Sequence, residues 1–82
     1  MRHQLRRLMY LTLNDVLQAE EYAQDMAGAA YWCEQDGQHA IASDMRMVGR
    51  EYRVRSIEGR AKLALLTRAY ARLPSDGETS GS

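Results

Sequence analysis

One uninterrupted helical repeat near the start of this chain constrains its fold more than any other feature. The repeat advances by alternating steps of four and three residues, through Leu5, Met9, Thr12, Val16, Ala19, Ala23, Met26, Ala30 and Cys33. This spacing places all nine side chains on one face of an α-helix. The sequence therefore predicts a long amphipathic helix that buries this face against a second element.

The segment Asp36-Gly37-Gln38 is the strong internal break, because its glycine permits the positive φ that ends a helix. A second helical repeat follows and runs to Pro74, through Ile41, Met45, Val48, Tyr52, Arg55, Gly59, Leu63, Leu66, Tyr70 and Leu73. Folding at the break brings residues whose numbers sum to about 75 to the same height, so Gly59 lies level with Val16. We predict an all-α fold, a long antiparallel helical hairpin.

Two local patterns offer alternatives to this hairpin. Thr12 followed by Asp15 imitates a capping box, so the first helix is either continuous or broken near Thr12. The alternation of apolar and polar residues from Tyr52 to Arg55 is compatible with a short strand. The helical period on both sides of these four residues favours a helix.

A chain of 82 residues forms one domain with a thin core. We assign residues 1–74 to a single helical domain and the polar residues 75–82 to a disordered tail. Cys33 is the lone cysteine and is read as a small buried apolar residue, so no internal disulfide can support the core.

Association with a second copy is therefore predicted, closing a four-helix bundle. The alternative is a monomeric three-helix bundle, in which the chain breaks near Thr12 and its first eleven residues fold back. A second apolar stripe supplies the candidate dimer interface: Leu11, Tyr22, Ala29, Met47, Val54, Ala61 and Leu65.

The net charge of zero is a sum of unlike segments. Residues 14–36 contain six acidic residues and no basic one, whereas residues 37–73 contain eight basic residues against three acidic ones. The simplest interpretation is an acidic helix that lies beside a basic helix and neutralises it.

Catalytic and metal-binding patterns are missing from the sequence. Neither His3 nor His39 has a cysteine or carboxylate at metal-ligand spacing on one helix face. No phosphate-binding loop or nucleophile motif occurs, so we expect no enzyme, no cofactor, no metal and no small-molecule substrate. The longest apolar run is far shorter than a membrane span and no secretory signal follows the N-terminal arginines, so we expect a cytoplasmic protein without a membrane partner.

Two surfaces remain as candidate binding sites. The first surrounds Trp32, the sole tryptophan, which shares an outward helix face with Glu21, Asp25 and Gly28. Tryptophan is enriched in binding hot spots, and acidic neighbours suit a basic protein partner. The second is a basic stripe, Arg46, Arg50, Arg53 and Arg60, of the kind that contacts nucleic acid backbones.

The first surface is preferred because a nucleic-acid-binding domain usually has a pI above about 9, whereas the pI of this chain is 6.7. We therefore predict a small non-enzymatic regulatory protein that binds and occludes a protein partner, such as an inhibitor or accessory factor from a phage or other mobile element. The alternative is a helical regulator that binds RNA or DNA through the arginine stripe.

Overall fold

The computed structural model describes residues 1–74 and consists of two long helices joined by a tight turn. Helix α1 spans Arg2–Gln35 and helix α2 spans His39–Arg72. The helices pack side by side and antiparallel, since Arg6 contacts Tyr70 at one end and Cys33 contacts Met45 at the other. The predicted helical hairpin is confirmed, and the predicted tail at 75–82 lies outside the described residues.

The turn between the helices is built around Gly37, whose φ is +79°. The Gln38 amide donates to the Cys33 carbonyl at 2.8 Å, and the Gly37 amide donates to the Glu34 carbonyl at 3.1 Å. These two hydrogen bonds form a Schellman motif, which satisfies carbonyls that the last turn of α1 would otherwise leave unpaired. The predicted break at residues 36–38 is therefore confirmed, with the glycine in the left-handed conformation that it alone adopts without strain.

Both helices are continuous where the sequence left alternatives open. α1 passes through Thr12 without interruption, so the break that a three-helix bundle requires does not occur. α2 likewise includes residues 52–55, where the sequence also allowed a strand. At its far end α2 stops at Leu73, which is extended (φ −73°, ψ 141°) because the following residue is Pro74.

The predicted seam of α1 is confirmed at every position. Val16, Ala19, Ala23 and Ala30 are buried, and the other five seam residues are half-buried. Cys33 is half-buried as a free thiol, with its Sγ 3.8 Å from Met45 Sδ. This contact fits the interpretation of Cys33 as a small apolar residue.

The predicted seam of α2 is wrong at three positions. Ile41, Val48 and Arg55 are exposed, and the residue after each of them takes the seam position instead. These replacements are all small and all buried: Ala42, Gly49 and Ser56. The correction also removes the one misfit of the sequence interpretation, since Arg55 points outward and never enters the seam.

Small seam residues are required because the helices approach each other closely. A Cβ added at Gly59 would lie 2.6 Å from Val16 Cγ2, and one added at Gly49 would lie 3.3 Å from Met26 Cβ. The buried Ser56 hydroxyl is not left without a hydrogen bond, because it donates to the Arg53 carbonyl at 2.8 Å. The contact of Gly59 with Val16 confirms the predicted register.

Neither helix contains a stretch long and apolar enough to cross a membrane, as far as residues 1–74 are concerned.

Candidate functional site

The hairpin has two long flanks, one on each side of the seam. One flank, here called the ion-pair flank, carries the three salt bridges of the described residues. Glu34 accepts from His39 Nδ1 at 2.6 Å and from Arg46 at 3.1 Å, and Glu20 pairs with Arg60. The hydrogen bond from His39, reinforced by Arg46, lowers the pKa of the Glu34 carboxyl. These pairs join α1 to α2 along one side.

The arginine stripe lies on this flank and is only partly available to a ligand. Arg46 and Arg60 are engaged with Glu34 and Glu20, whereas Arg50 and Arg53 have no carboxylate within 4.0 Å among residues 1–74. Arg46, Arg50 and Arg53 border an open groove of about 330 Å³ whose floor is formed by the small residues Ala23, Ala27 and Gly49. The stripe is thus reduced from four free guanidinium groups to two.

The opposite flank, here called the tyrosine flank, is centred on two aromatic rings that pack against each other at a tilt of 39°. The rings of Tyr22 and Tyr52 lie 5.2 Å apart, and the Arg55 guanidinium lies 5.2 Å from the centre of the Tyr52 ring. Asp15 and Lys62 line the same groove, which has a volume of about 360 Å³. Arg55, predicted as a seam residue, is therefore a flank residue that covers an aromatic ring.

The predicted dimer-interface residues remain uncovered in the single chain, apart from half-buried Ala29. Tyr22 and Ala29 lie on the tyrosine flank, with Leu11 and Leu65 at its borders. Met47, Val54 and Ala61 instead recur at seven-residue intervals on the side of α2 that faces away from α1. The dimer itself stays a prediction.

The Trp32 surface lies on the side of α1 that faces away from α2. Trp32 is 67% exposed and contacts the edge of the Tyr31 ring, at 5.4 Å between ring centres and 81° between ring planes. One turn earlier, Gly28 has nothing within 4 Å of the point where a Cβ would be. Glu21 and Asp25 are exposed and make no salt bridge with any described residue. Trp32 is therefore exposed on the same side of α1 as two acids without salt bridges, which lie about 10 Å (Asp25) and about 17 Å (Glu21) along the helix axis from it.

Trp32 is not covered by an arginine of its own chain. The cation–π contacts within residues 1–74 involve Tyr70 and Tyr52, not Trp32. No arginine of the described chain therefore stacks on the Trp32 ring. Its exposed face is available to another molecule.

A cluster that the sequence did not indicate closes the open end of the hairpin. The Arg2 guanidinium lies 4.3 Å from the centre of the Tyr70 ring and donates to the carbonyls of Leu73 and Pro74 at 3.4 and 3.3 Å. Arg6 donates to the Tyr70 hydroxyl at 2.8 Å. This hydrogen bond, helped by the charges of both arginines, lowers the pKa of Tyr70. Arg2 thus binds the two carbonyls that directly follow the end of α2 and ties them to the start of α1.

The fold arranges charge along its length as well as between its helices. The open half, residues 1–14 and 59–74, contains seven basic residues and no acidic one. The loop half, residues 15–58, contains nine acidic residues against four basic ones. The described hairpin is therefore positive at its open end and negative towards its turn.

Among the described residues neither a metal-binding cluster nor a pairing of Cys33 with His39 is formed. No group of three His, Cys, Asp or Glu side chains could hold a metal ion in residues 1–74. His39 pairs with Glu34 while Cys33 packs on Met45, so the histidine and the thiol do not meet. Comparison with protein-family models, with curated proteins and with solved structures finds no match to this chain.

Proposed function

We propose that this chain is a small non-enzymatic regulatory protein that binds a basic surface of a protein partner through Trp32 and thereby occludes that surface. The observation that carries the proposal is the exposure of Trp32, 67%, on a helix face without basic residues. A large aromatic side chain left in water on a small rigid helix gains burial only by contact with another molecule. Tryptophan is also among the residues that most often dominate binding energy.

The chemistry around Trp32 supports a basic partner. Glu21 and Asp25 are exposed and unpaired among the described residues, and residues 14–36 contain no arginine or lysine. Gly28 leaves open space beside the indole, so a partner side chain can reach the ring without displacing a neighbour. Cation–π contact with an arginine or lysine, together with charge pairing at the rim, suits such a surface.

A nucleic acid partner is ranked second because half of the arginine stripe is occupied. Arg46 and Arg60 would have to exchange Glu34 and Glu20 for phosphate, and those carboxylates would repel the nucleic acid backbone. Only Arg50 and Arg53 are free for phosphate without such an exchange. The free acids around Trp32 lie on a different side of the hairpin and are unaffected by this competition.

The proposal is tested by capturing partners from the native lysate with the tagged chain, with and without nuclease treatment. We expect a defined protein to be recovered in both samples and to be lost with Trp32→Ala. Tyr10→Ala is the matched control, because Tyr10 is an equally exposed aromatic residue of the same helix, at 66%, placed in the positive half. Equal recovery with Trp32→Ala and wild type would refute the Trp32 site. Recovery that disappears with nuclease and with Arg50→Glu and Arg53→Glu would instead support nucleic acid binding.

A further inference from the structure

The core of the single hairpin is formed almost entirely by small residues. The buried apolar side chains of the described chain are Val16 and four alanines, Ala19, Ala23, Ala30 and Ala42. Some of the larger apolar side chains left exposed lie on the tyrosine flank or at its borders, at 39% to 62% exposure: Leu8, Leu11, Val48 and Leu65. Others, such as Leu17 and Ile57, are exposed on other sides of the hairpin. A small domain with so little buried apolar volume usually needs a second source of burial.

The charges beside these apolar residues differ between the two halves of the tyrosine flank. In the open half the flanking charges are Lys62 and Arg72. In the loop half five acidic residues outnumber one basic residue, Arg55: Asp15, Asp25, Asp44, Glu51 and Glu58. The flank is thus net positive in its open half and net negative in its loop half. A surface of this kind is complementary to its own copy when that copy is turned end for end.

We propose that two copies of this chain associate through their tyrosine flanks in an antiparallel arrangement, so that the open half of each hairpin covers the loop half of the other. A two-fold axis across the middle of the flank generates this interface with the same surface on both subunits. The product is a four-helix bundle whose shared core contains the four large apolar residues of each flank. A parallel dimer would place like charges together at both ends.

The helical register gives specific partners for this arrangement. Because the two-fold axis passes through the middle of the hairpin, a residue at a given distance above the middle lies level with the residue of the partner subunit that is the same distance below it. Lys62 then lies level with Glu51 of the partner subunit, and Leu65 lies level with Val48 of the partner subunit. Leu65 thereby meets an apolar side chain, and Lys62 meets a charge of opposite sign.

This interface goes beyond the proposed function and can be tested separately from it. Asp25 borders both surfaces, but Trp32 and Glu21 lie on the outer side of α1, whereas Lys62 and Glu51 belong to α2. A charge change on α2 therefore tests the dimer without altering the Trp32 surface. Failure of partner capture with Trp32→Ala and failure of dimerisation are distinguishable results.

The first test measures mass by sedimentation equilibrium over a range of protein and salt concentrations. We expect twice the 9.4 kDa chain mass at micromolar concentration, and a dimer that weakens as salt is added. Lys62→Glu and Glu51→Lys alone should each raise the dissociation constant by about tenfold, and the two together should restore it. The matched control is Arg68→Glu, which makes the same charge change in the open half on the far side of α2 and should leave the dimer intact.

The second test measures orientation with a spin label on Gln35→Cys in a Cys33→Ala background. Because a helix rises about 1.5 Å per residue, labels near the turns of an antiparallel pair lie about 50 Å apart. A distance below about 30 Å, as side-by-side turns would give, would overturn the proposed arrangement. A monomer at all concentrations, with helicity retained by circular dichroism, would overturn it as well, and so would single charge reversals without effect.

Discussion

Gly59 packs directly beneath Val16, so closely that a Cβ on the glycine would lie 2.6 Å from Val16 Cγ2. Val16 is 2% exposed and has a branched, stiff side chain, so it cannot turn aside. Glycine at this position costs about 1 kcal/mol in helix propensity relative to alanine, but it allows the two helices to pack closely.

Gly59→Ala should therefore destabilise the hairpin although alanine is the better helix former. We expect the free energy of unfolding to fall by about 1 to 2 kcal/mol, as in other overpacked cores. The control is Gly28→Ala, which adds the same methyl group to a helix position with nothing within 4 Å and should raise stability by about 0.5 to 1 kcal/mol. Urea denaturation of the two variants at one protein concentration measures both effects. A stabilised Gly59→Ala would contradict the close contact.

The corrected seam of α2 predicts opposite responses at two neighbouring alanines. Ala42→Leu adds a large side chain to a fully buried position and should lower the free energy of unfolding by about 1 to 3 kcal/mol. Ala40→Leu makes the same change at an exposed position of the same turn and should alter it by less than about 0.5 kcal/mol. Thermal unfolding followed by circular dichroism distinguishes them. Equal effects would mean that Ala42 does not lie in the seam.

The salt bridges of Glu34 predict a dependence of stability on pH. Its pKa is lowered below 4.5 in the folded chain, chiefly by the hydrogen bond from His39. A carboxyl with a depressed pKa contributes stability that is fully present above its unfolded-state pKa and is lost as the pH falls through the folded-state pKa. Glu34→Gln should therefore be less stable than wild type at neutral pH. The difference in the free energy of unfolding should shrink as the pH falls through the folded-state pKa of Glu34.

Glu21→Gln serves as the control for this experiment. Glu21 lies on the same helix, and its carboxylate has no salt-bridge partner among residues 1–74. The stability of this variant should therefore remain within about 0.5 kcal/mol of wild type. A difference between wild type and Glu34→Gln that does not change with pH would contradict the role of the salt bridges.

The cluster at the open end predicts that Tyr70 ionises before an ordinary tyrosine. The hydrogen bond from Arg6 stabilises the phenolate and lowers the pKa of Tyr70. In an alkaline titration followed by phenolate absorbance, Tyr70→Phe should remove the phase that appears at the lowest pH. Tyr10→Phe, at an exposed tyrosine outside the cluster, should leave that phase in place. An early phase that survives in Tyr70→Phe would show that the Arg6 contact does not persist in solution.

The seam of α1 could be predicted in full because its period is regular and each step has a clear apolar or small residue. The seam of α2 could not, because Ile41 and Val48 outweigh their neighbours in hydrophobicity while the structure selects for small size. Where two helices approach closely, volume decides which residue enters the interface. Choosing Ala42 and Gly49 as the better fit to an alanine-rich partner helix gives the correct seam residues.

The candidate surfaces were predicted less completely than the fold. The position of Trp32 on an outward face could be predicted from its spacing along the chain relative to the seam residues of α1. The pairing of Arg46 with Glu34 and of Arg60 with Glu20 could not, because it depends on which flank each side chain occupies after the helices have packed. The cluster of Arg2, Arg6 and Tyr70 had one signal in the sequence, two arginines spaced by one helical turn and level with an aromatic residue of α2.

The glycine beneath Val16 also determines which alignment of the two helices can form. The alanine-rich seam of α1 is smooth and by itself offers little resistance to a shift of α2 along it. A slip of seven residues in either direction would bring Tyr52 or Leu66 to the place of Gly59, and neither side chain fits the space beside Val16. The missing side chain of Gly59 thus acts together with the tight turn at Gly37 to hold the two helices in one alignment.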